Sequence, residues 1–506
     1  MSAGEAPPQP SPETPTLQPS TAPLARQTLA YGVSGLIGPA VGILTLPVFA
    51  RVFTRGEYGI VELGSTLLTV ALAVADAGFT AAALRSYYDY RNEHPTERRS
   101  VLFTALTAMI SVSLALTAVG IALRGDISSW VFGSRGDTTI VLLLAATIPA
   151  MSLYRFLTET MRLRMQATSY LVMTAIDTIT TSGLGVAVVL ATDWRVKGLF
   201  AAALFGHMLA SAYGLFVVRK GVIGPWSSYE LKRMAAYGLP LIPSTLSVWA
   251  LALVDRLILA RLRDVAEVGQ YAIANRLASL LLIGTNAFLL ALSPFLFSLY
   301  SEDPEQEKLA RGRTLTYLTF ILTLGGLVLT LFAKEVVDVV APRFSDSYKA
   351  VGPLALGTIA YGIATVLATG ISLARRTLIM MPIPIACAAI NIGLNFALIP
   401  PWGFIGSAVA TAVGYGALAA AYYWTGQQFY ATPYELRKVV TILVLASAIG
   451  VVGVLPLDPL GLAVGLKLAA VAAFVGLLRV SGAMTGAEFR ELGRFVRGMV
   501  PLPRRG

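Results

Sequence analysis

Apolar segments of about 20 residues alternate with short polar segments along most of the chain. A helix of about 20 apolar residues is long enough to cross roughly 30 Å of hydrocarbon. The pattern therefore predicts an all-α integral membrane protein with about 14 transmembrane helices. The predicted spans are 28–50, 59–85, 100–123, 138–158, 168–192, 197–218, 235–260, 267–292, 314–333, 350–372, 377–398, 404–424, 437–456 and 461–480.

The composition agrees with this pattern, since 56% of the residues are hydrophobic and 13% are charged, against roughly 25% charged in soluble domains. The net charge of +11 would suggest nucleic acid in a soluble protein, but here the basic residues lie mainly between apolar segments. We therefore predict no nucleic-acid partner. One cysteine, Cys387, cannot form an internal disulfide, and His94 and His207 have no cluster of further ligands, so the sequence predicts no metal and no cofactor.

Basic residues also indicate the orientation in the membrane, because loops rich in Lys and Arg stay in the cytoplasm. Loops on one side hold about 23 basic residues and those on the other side about 11, which predicts that both termini are cytoplasmic. Residues 1–26 are rich in proline and lack a basic start, which predicts a disordered cytoplasmic tail rather than a signal peptide. Residues 483–506 are predicted to form an amphipathic helix and tail on the anionic cytoplasmic leaflet.

Short matches recur at a separation of about 205 to 210 residues, which indicates an internal repeat. The helix-starting pair Thr54 and Glu57 recurs as Asp264 and Glu267, and residues 227–230 recur as 432–435, with each copy predicted to form a capping box. This shift equals six spans, so the copies have the same orientation in the membrane. The predicted domains are lobes 27–220 and 221–426 in parallel repeat, followed by two additional helices in 427–482. Chance similarity among helices rich in Ala, Leu and Gly is the alternative.

Three segments carry a resemblance to a known family. Residues 46–59 (LPVFARVFTRGEYG), 76–85 (DAGFTAAALR) and 391–411 (NIGLNFALIPPWGFIGSAVAT) resemble polysaccharide-transporter, or O-antigen flippase, proteins of the multidrug/oligosaccharidyl-lipid/polysaccharide exporter superfamily. The resemblance implies two six-helix lobes around a central cavity that the first, second, seventh and eighth helices face. It also implies alternating-access movement of a polyprenyl-diphosphate-linked oligosaccharide from the cytoplasmic to the periplasmic leaflet of the bacterial inner membrane, for cell-surface polysaccharide biosynthesis.

The resemblance further implies a transporter rather than an enzyme. Its implied partners are the lipid-linked oligosaccharide, membrane lipids, and a polysaccharide polymerase with its export machinery. The two additional helices would offer a surface for the polyprenyl tail.

Charged residues inside spans are the candidates for substrate contacts, because each costs about 2.5 to 3.5 kcal/mol at a helix centre unless it lines a cavity or has a partner. Arg256 and Trp249 lie seven residues apart and share a helical face. The guanidinium suits bidentate phosphate binding, and the indole suits stacking on a sugar. The other predicted substrate contacts are Arg276, Asn275 and Asn286 in the eighth span and Arg85 at the cytoplasmic end of the second span. Ion pairing with carboxylates, or snorkelling to the membrane surface, is the alternative for these arginines.

Asp76, Glu62 and Asp255 are the predicted ion-coupling residues, since carboxylates within spans can carry protons or cations. Ion pairing with Arg85 or Arg256 is the alternative. Prolines at positions 39, 47, 240 and 243 are predicted to bend the cavity-facing first and seventh helices.

Three other functions are compatible with parts of the pattern. A lipid II flippase of the same architecture is indistinguishable at this level. A multidrug exporter of the same superfamily should have about twelve spans and a cavity lined by carboxylates. A membrane glycan polymerase should have a large catalytic loop or an acidic metal motif, and neither occurs in the sequence.

Overall fold

The computed structural model describes residues 37–38, 40–90, 94–373, 377–454 and 460–499. The regular structure of these residues is helical, with no strand among them. The helices are α1 (Ala40–Val52), α2 (Arg55–Asp76), α3 (Phe79–Asp89), α4 (Pro95–Ala122), α5 (Arg124–Phe132), α6 (Thr138–Leu163), α7 (Ala167–Thr178), α8 (Gly185–Ala191), α9 (Arg195–Val222), α10 (Ser228–Gly238), α11 (Ile242–Leu262), α12 (Val265–Ala278), α13 (Leu280–Glu302), α14 (Pro304–Leu331), α15 (Ala333–Val340), α16 (Tyr348–Leu373), α17 (Pro382–Phe429), α18 (Leu436–Gly450), α19 (Leu460–Val480) and α20 (Gly486–Met499). The predicted tail of residues 1–26, and Pro39, lie outside the described residues.

Eleven helices of the described residues are long and apolar enough to cross a membrane, which confirms the all-α membrane fold. One of them, α17, has 48 residues and a length of about 72 Å, more than twice the hydrocarbon thickness. It contains the eleventh and twelfth predicted spans, and it kinks at Gly403, where φ is 57°. The predicted first span is represented by the short helix α1, and the eighth is divided at Ser279 between α12 and α13. The count of 14 spans stays a prediction.

Capping interactions begin α2 and α12 at the positions that the repeat predicts. The Thr54 hydroxyl accepts a hydrogen bond from the Glu57 amide at 3.2 Å, and the Glu57 carboxylate accepts one from the Thr54 amide at 2.8 Å. The Asp264 carboxylate accepts a hydrogen bond from the Glu267 amide at 2.7 Å. These contacts satisfy amides that have no partner inside the helix, so the two helices start at equivalent positions of the repeat.

The capping box predicted for residues 432–435 is wrong. Helix α18 begins at Leu436, and no side chain caps its N-terminus. The Thr432 amide instead donates to Gln427 at 3.0 Å, while the Glu435 carboxylate accepts from the Thr316 hydroxyl at 2.9 Å. Thr432 precedes a proline, which disfavours helical backbone at that residue. Its hydroxyl donates to the Tyr430 carbonyl at 3.2 Å, so neither side chain of the predicted box is free to cap the helix.

The two lobes approach each other most closely where α2 crosses α12. Gly59 and Gly269 each lie five residues after the capping residue of their helix. A Cβ atom on Gly269 would lie 3.3 Å from the Gly59 nitrogen, and one on Gly59 would lie 2.8 Å from a side-chain carbon of Val265. The contact therefore depends on glycine at equivalent positions of the two copies, as expected for lobes related by the parallel repeat.

A second pair of reciprocal contacts joins the lobes at the ends of α1 and α11. The Arg51 guanidinium donates to the Val339 carbonyl of α15 at 3.0 Å, and the Arg261 guanidinium lies 5.1 Å from the centre of the Trp130 ring of α5. Arg51 and Arg261 are 210 residues apart, and Trp130 and Val339 are 209 apart. Each lobe thus places an arginine on the short helix of the other lobe, at the end that the topology prediction places outside the cytoplasm.

Helix α10 lies in the predicted second lobe by sequence, but it packs on the first. Met234 is fully buried in a cluster with Phe79, Val101 and Leu157 of the first lobe. The helical path breaks after α10 at Leu239–Leu241, where Pro240 lies, as the proline pattern predicts. Packing therefore assigns α10 to the first lobe and begins the second lobe at α11.

The last two membrane helices pack on the second lobe. Phe474 and Leu478 of α19 are fully buried in a cluster with Phe320 of α14. Lys467 of α19 is 2% exposed and forms an ion pair with Glu335 of α15 at 2.6 Å. Helix α19 is therefore attached to the second lobe by an apolar cluster and by a buried ion pair.

The amphipathic helix α20 packs on the same cluster. Its Phe489 ring lies 5.5 Å from the Phe320 ring, so part of the apolar face that we predicted to contact lipid rests on protein instead. Its position on the cytoplasmic leaflet stays a prediction.

Candidate transport cavity and interlobe ion pairs

A cavity of about 480 Å³ lies between the first lobe and the beginning of α11. Its walls come from α2, α3, α4, α6 and α11, so both lobes contribute to it. Its polar lining includes Asp76, Thr80, Arg155, Glu159, Thr245 and Trp249. The cavity thus combines a guanidinium, two carboxylates, hydroxyl groups and an indole.

A break between α2 and α3 forms one wall of the cavity. Ala77 and Gly78 both have left-handed backbone, with φ of 45° and 74°, and they end α2. A Cβ atom on Gly78 would lie 2.8 Å from the Gly238 Cα, so glycine is needed where the break touches the end of α10. The Asp76 carboxylate accepts hydrogen bonds from the Gly78 amide, at 3.2 Å, and from the Thr80 hydroxyl. Asp76 is therefore held in the cavity wall at the start of α3.

Arg155 of α6 is an exposed cation inside a membrane span. Its guanidinium lines the cavity and interacts electrostatically with Asp76. No described residue gives that guanidinium a hydrogen bond or an ion pair. Glu159, one turn further along α6, is paired with Arg162 at 2.8 Å. Arg155 is thus available to an anionic ligand, and it was missing from the predicted substrate contacts although its position in a span marked it as unusual.

Arg256 lies deeper, in a buried network between the lobes. Its side chain is only 4% exposed; the Nε atom lies 3.0 Å from Oε1 of Glu62, and Nη1 lies 2.8 Å from Oδ1 of Asp255. The guanidinium also lies 5.2 Å from the centre of the Tyr271 ring. Asp255 is fully buried and accepts hydrogen bonds from the Tyr271 hydroxyl and from Thr411 at 3.1 Å. In this structure Arg256 therefore forms ion pairs with Glu62 and Asp255, as the alternative to a substrate contact expected.

Arg276 shares a carboxylate with Arg256 but remains exposed. Its guanidinium lies beside Gly42 of α1 and interacts electrostatically with Glu62. Asn275 is half-buried and Asn286 is exposed. Arg256 and Arg276, both predicted substrate contacts, are therefore close to the same carboxylate, and of the two only Arg276 is exposed to a ligand.

The remaining predicted contacts divide between two places. Trp249 and Asp76 both line the cavity. Arg85 is exposed at the end of α3, and its guanidinium lies 4.7 Å from the centre of the Tyr237 ring of α10. Arg85 does not line the cavity. Its role in the first contact with substrate, at the predicted cytoplasmic end of the span, stays a prediction.

The fold and the cavity define a two-lobe helical membrane protein with a polar cavity between its lobes. Among solved structures, the chain is similar to the "Lipid II flippase MurJ, inward closed conformation", with 15% identity over 90% of this chain and 99% of that chain and a TM-score of 0.69. It is also similar to inward-facing and outward-facing structures of a multidrug resistance MATE family transporter of the MOP superfamily. The inward-facing structure has 15% identity over 79% of this chain and 94% of that chain, with a TM-score of 0.60. The outward-facing structure has 14% identity over 80% and 95%, with a TM-score of 0.58.

The family follows from the sequence itself. Residues 24–300, more than half of the chain, match the family described as "Polysaccharide biosynthesis protein". The chain therefore belongs to the polysaccharide biosynthesis protein family and has the fold of the MOP superfamily. No curated protein gives a sequence match.

Proposed function

We propose that this protein is a flippase that moves a polyprenyl-diphosphate-linked oligosaccharide from the cytoplasmic to the periplasmic leaflet of the bacterial inner membrane. It serves cell-surface polysaccharide biosynthesis, such as that of O-antigen or exopolysaccharide. The sugar and diphosphate cannot cross hydrocarbon without a polar route, whereas the polyprenyl tail can stay in the lipid. Family membership and the two-lobe fold support this proposal.

The observation that carries the proposal is the chemistry of the cavity. Arg155 offers an unpaired guanidinium for a phosphate, and Trp249 offers an indole for stacking on a sugar ring. Asp76 and Glu159 offer carboxylates that can accept hydrogen bonds from sugar hydroxyls. The volume of about 480 Å³ lies within the usual range of roughly 300 to 1,000 Å³ for ligand sites. A cation and an aromatic ring in one cavity are the two groups that a glycosyl diphosphate requires.

The residues outside the cavity have separate roles in this proposal. Arg276, Asn275 and Asn286 provide substrate contacts on the second lobe. Arg256 contacts the diphosphate only when its ion pairs with Glu62 and Asp255 exchange during the transport cycle. Those two carboxylates and Asp76 stay the predicted ion-coupling residues. Arg85 makes the first contact at the cytoplasmic side.

The test is deletion of the gene, followed by analysis of lipid-linked sugars in each leaflet. Build-up of finished oligosaccharide units on the cytoplasmic leaflet, reversed by the wild-type gene, supports transport. Build-up of unpolymerised units on the periplasmic leaflet instead indicates a polymerase. Unchanged lipid-linked sugars in both leaflets contradict the proposal.

Lipid II transport is the second candidate, and the similarity to the lipid II flippase over 99% of that chain favours it. Proteoliposomes that contain lipid II, or the oligosaccharide lipid from the deletion strain, distinguish the two substrates. Export of cationic drugs is a further candidate, because the carboxylates of Asp76 and Glu159 line the cavity together with Arg155. Resistance to cationic dyes in a strain that expresses the protein tests that function.

A further inference from the structure

Asp177 of α7 and His207 of α9 form a buried pair within the first lobe. Nδ1 of His207 lies 2.7 Å from Oδ1 of Asp177, and the two residues are 8% and 9% exposed. Both lie near the middle of their spans, which are Ala167–Ala191 and Arg195–Val222. The pair therefore places an imidazole and a carboxylate in one hydrogen bond near the middle of two membrane spans.

The charge of this pair depends on one proton. With a neutral imidazole the pair has a net charge of −1, and with an imidazolium it is a neutral ion pair. A net charge at the centre of a span costs about 2.5 to 3.5 kcal/mol on insertion scales, so the proton changes the energy of the lobe considerably. Histidine is the side chain whose ordinary pKa lies in the physiological range.

Few groups near the pair could neutralise its negative charge in place of that proton. The Tyr154 ring of α6 lies 5.7 Å from the imidazole ring and interacts electrostatically with Asp177 and with Tyr170 of α7. Arg155 follows on α6, but its guanidinium lines the cavity beside Asp76. None of the described residues supplies a second ion-pair partner to Asp177 or His207. Among the described residues, the pair therefore becomes neutral only when it binds a proton.

A π-helical turn connects the pair to the packing of the lobe. It covers Ile179–Leu184, directly after α7, and Thr181 within it donates to the Asp177 carbonyl at 2.8 Å. Gly206, directly before His207, packs on the same turn, since a Cβ atom there would lie 3.0 Å from the Thr181 nitrogen. Such π-turns occur often at functional sites, and this one contacts both helices of the pair.

We propose that Asp177 and His207 form a proton-binding site, and that the bound proton changes the packing of the π-turn and of α6 and so couples the first lobe to a proton gradient. The connection to the cavity runs along α6, where Tyr154 lies beside His207 and the next residue, Arg155, lines the cavity. The inferred coupling rests on the proposed transport function, whereas the inferred proton binding is independent of it.

Proton binding can be measured without a transported substrate, because the chain has two histidines. Full-length protein with labelled histidine side chains in lipid nanodiscs gives two imidazole signals, and His94→Gln assigns them. His94 is exposed and lies outside the spans, so it serves as the matched control. The proposal predicts that the His207 signal changes from one protonation form to the other in a titration carried out between pH 8 and pH 5. A His207 signal that keeps one form across this range overturns it.

Coupling is tested in proteoliposomes loaded with lipid-linked oligosaccharide from the deletion strain. A gradient of one pH unit should stimulate accumulation by wild-type and His94→Gln protein, raising the ratio of substrate between the two leaflets by up to about tenfold, the thermodynamic limit for one proton per substrate. His207→Gln and Asp177→Asn should retain basal transport and lose this stimulation. Equal stimulation of all four proteins overturns coupling through the pair. Absence of transport by the wild type contradicts the proposed function instead, and the imidazole signals then still decide whether the site binds a proton.

Discussion

The Nε atom of Arg256 lies 3.0 Å from Oε1 of Glu62, so a buried ion pair joins α11 of the second lobe to α2 of the first. Asp255 shares the same guanidinium at 2.8 Å. The nearby crossing of α2 and α12 at Gly59 and Gly269 also joins the lobes. Alternating access requires the lobes to rock about some axis. We expect contacts of this depth to act as the pivot, while the contacts at the ends of α1 and α11 open and close.

Replacement of Arg256 by alanine should destabilise the protein and abolish export. Removing one partner of a buried ion pair leaves uncompensated charge, which costs about 3 to 5 kcal/mol, and here two carboxylates lose their partner. Thermal unfolding in detergent measures the loss. Arg162→Ala is the control, since the side chains of Arg162 and its partner Glu159 are both about half exposed and its removal should change the unfolding temperature little. An Arg256→Ala protein with wild-type stability and export would contradict both the structural role and the predicted phosphate contact.

Replacement of Arg155 by alanine should weaken substrate binding without affecting folding. A hydrogen bond to a charged group is worth about 1.5 to 3 kcal/mol, so affinity for the lipid diphosphate should fall about 10-fold to 100-fold. Binding to undecaprenyl diphosphate in nanodiscs measures the change. Arg155→Lys should restore part of the affinity, because it keeps the charge and loses the bidentate geometry.

The control for this experiment is Arg162→Ala, which removes an exposed arginine from the same helix. It should bind like the wild type. Equal affinity of the Arg155→Ala and Arg162→Ala proteins would exclude Arg155 from the binding site.

Gly59→Ala should disturb the crossing of the lobes. Its new Cβ atom would lie 2.8 Å from a Val265 side-chain carbon and 2.9 Å from the Val265 carbonyl carbon, so the helices must separate. Overpacking of this kind costs about 1 to 3 kcal/mol. Gly56→Ala, one turn earlier on α2, has no neighbour within 4 Å and should leave the unfolding temperature almost unchanged. If both alanine variants unfold at the wild-type temperature, the close approach of α2 and α12 is not needed for stability.

Acid should loosen the attachment of α20. Burial alone would raise the pKa of Glu488, but hydrogen bonds from Lys438 and Thr485 hold it below its ordinary value of 4.5. The ion pair with Lys438, at 2.6 Å, is therefore fully formed above about pH 4.5 and is lost as the pH falls through the lowered pKa. Protection factors of residues 486–499, from hydrogen exchange between pH 7 and pH 3 corrected for the intrinsic exchange rate at each pH, test this. Glu488→Gln should have lower protection at pH 7 and lose less protection in acid, and equal protection in both proteins would contradict the expectation.

Several features could be predicted from the sequence because they depend on local patterns. Apolar segment length predicts a membrane helix without knowledge of its neighbours, and the capping residues at Thr54 and Asp264 form within one helical turn. Trp249 and Asp76 both line the cavity, and their roles as a substrate contact and an ion-coupling residue stay predictions. The capping box at residues 432–435 failed for the opposite reason, since Glu435 found a partner 119 residues away on α14.

The sequence by itself determined the all-helical membrane fold, the repeat and its family, because apolar periodicity, capping and motif spacing act over a few residues at a time. Only the tertiary structure decided what each charge inside a span does. Arg155 and Arg256 both lie in apolar segments. Arg256 forms an ion pair with Glu62 of the other lobe, whereas Arg155 lines the cavity. Likewise, Asp177 and His207 become a pair only because α7 packs on α9. Electrostatic energy in the membrane depends on distances between helices, and those distances are fixed when the lobes pack.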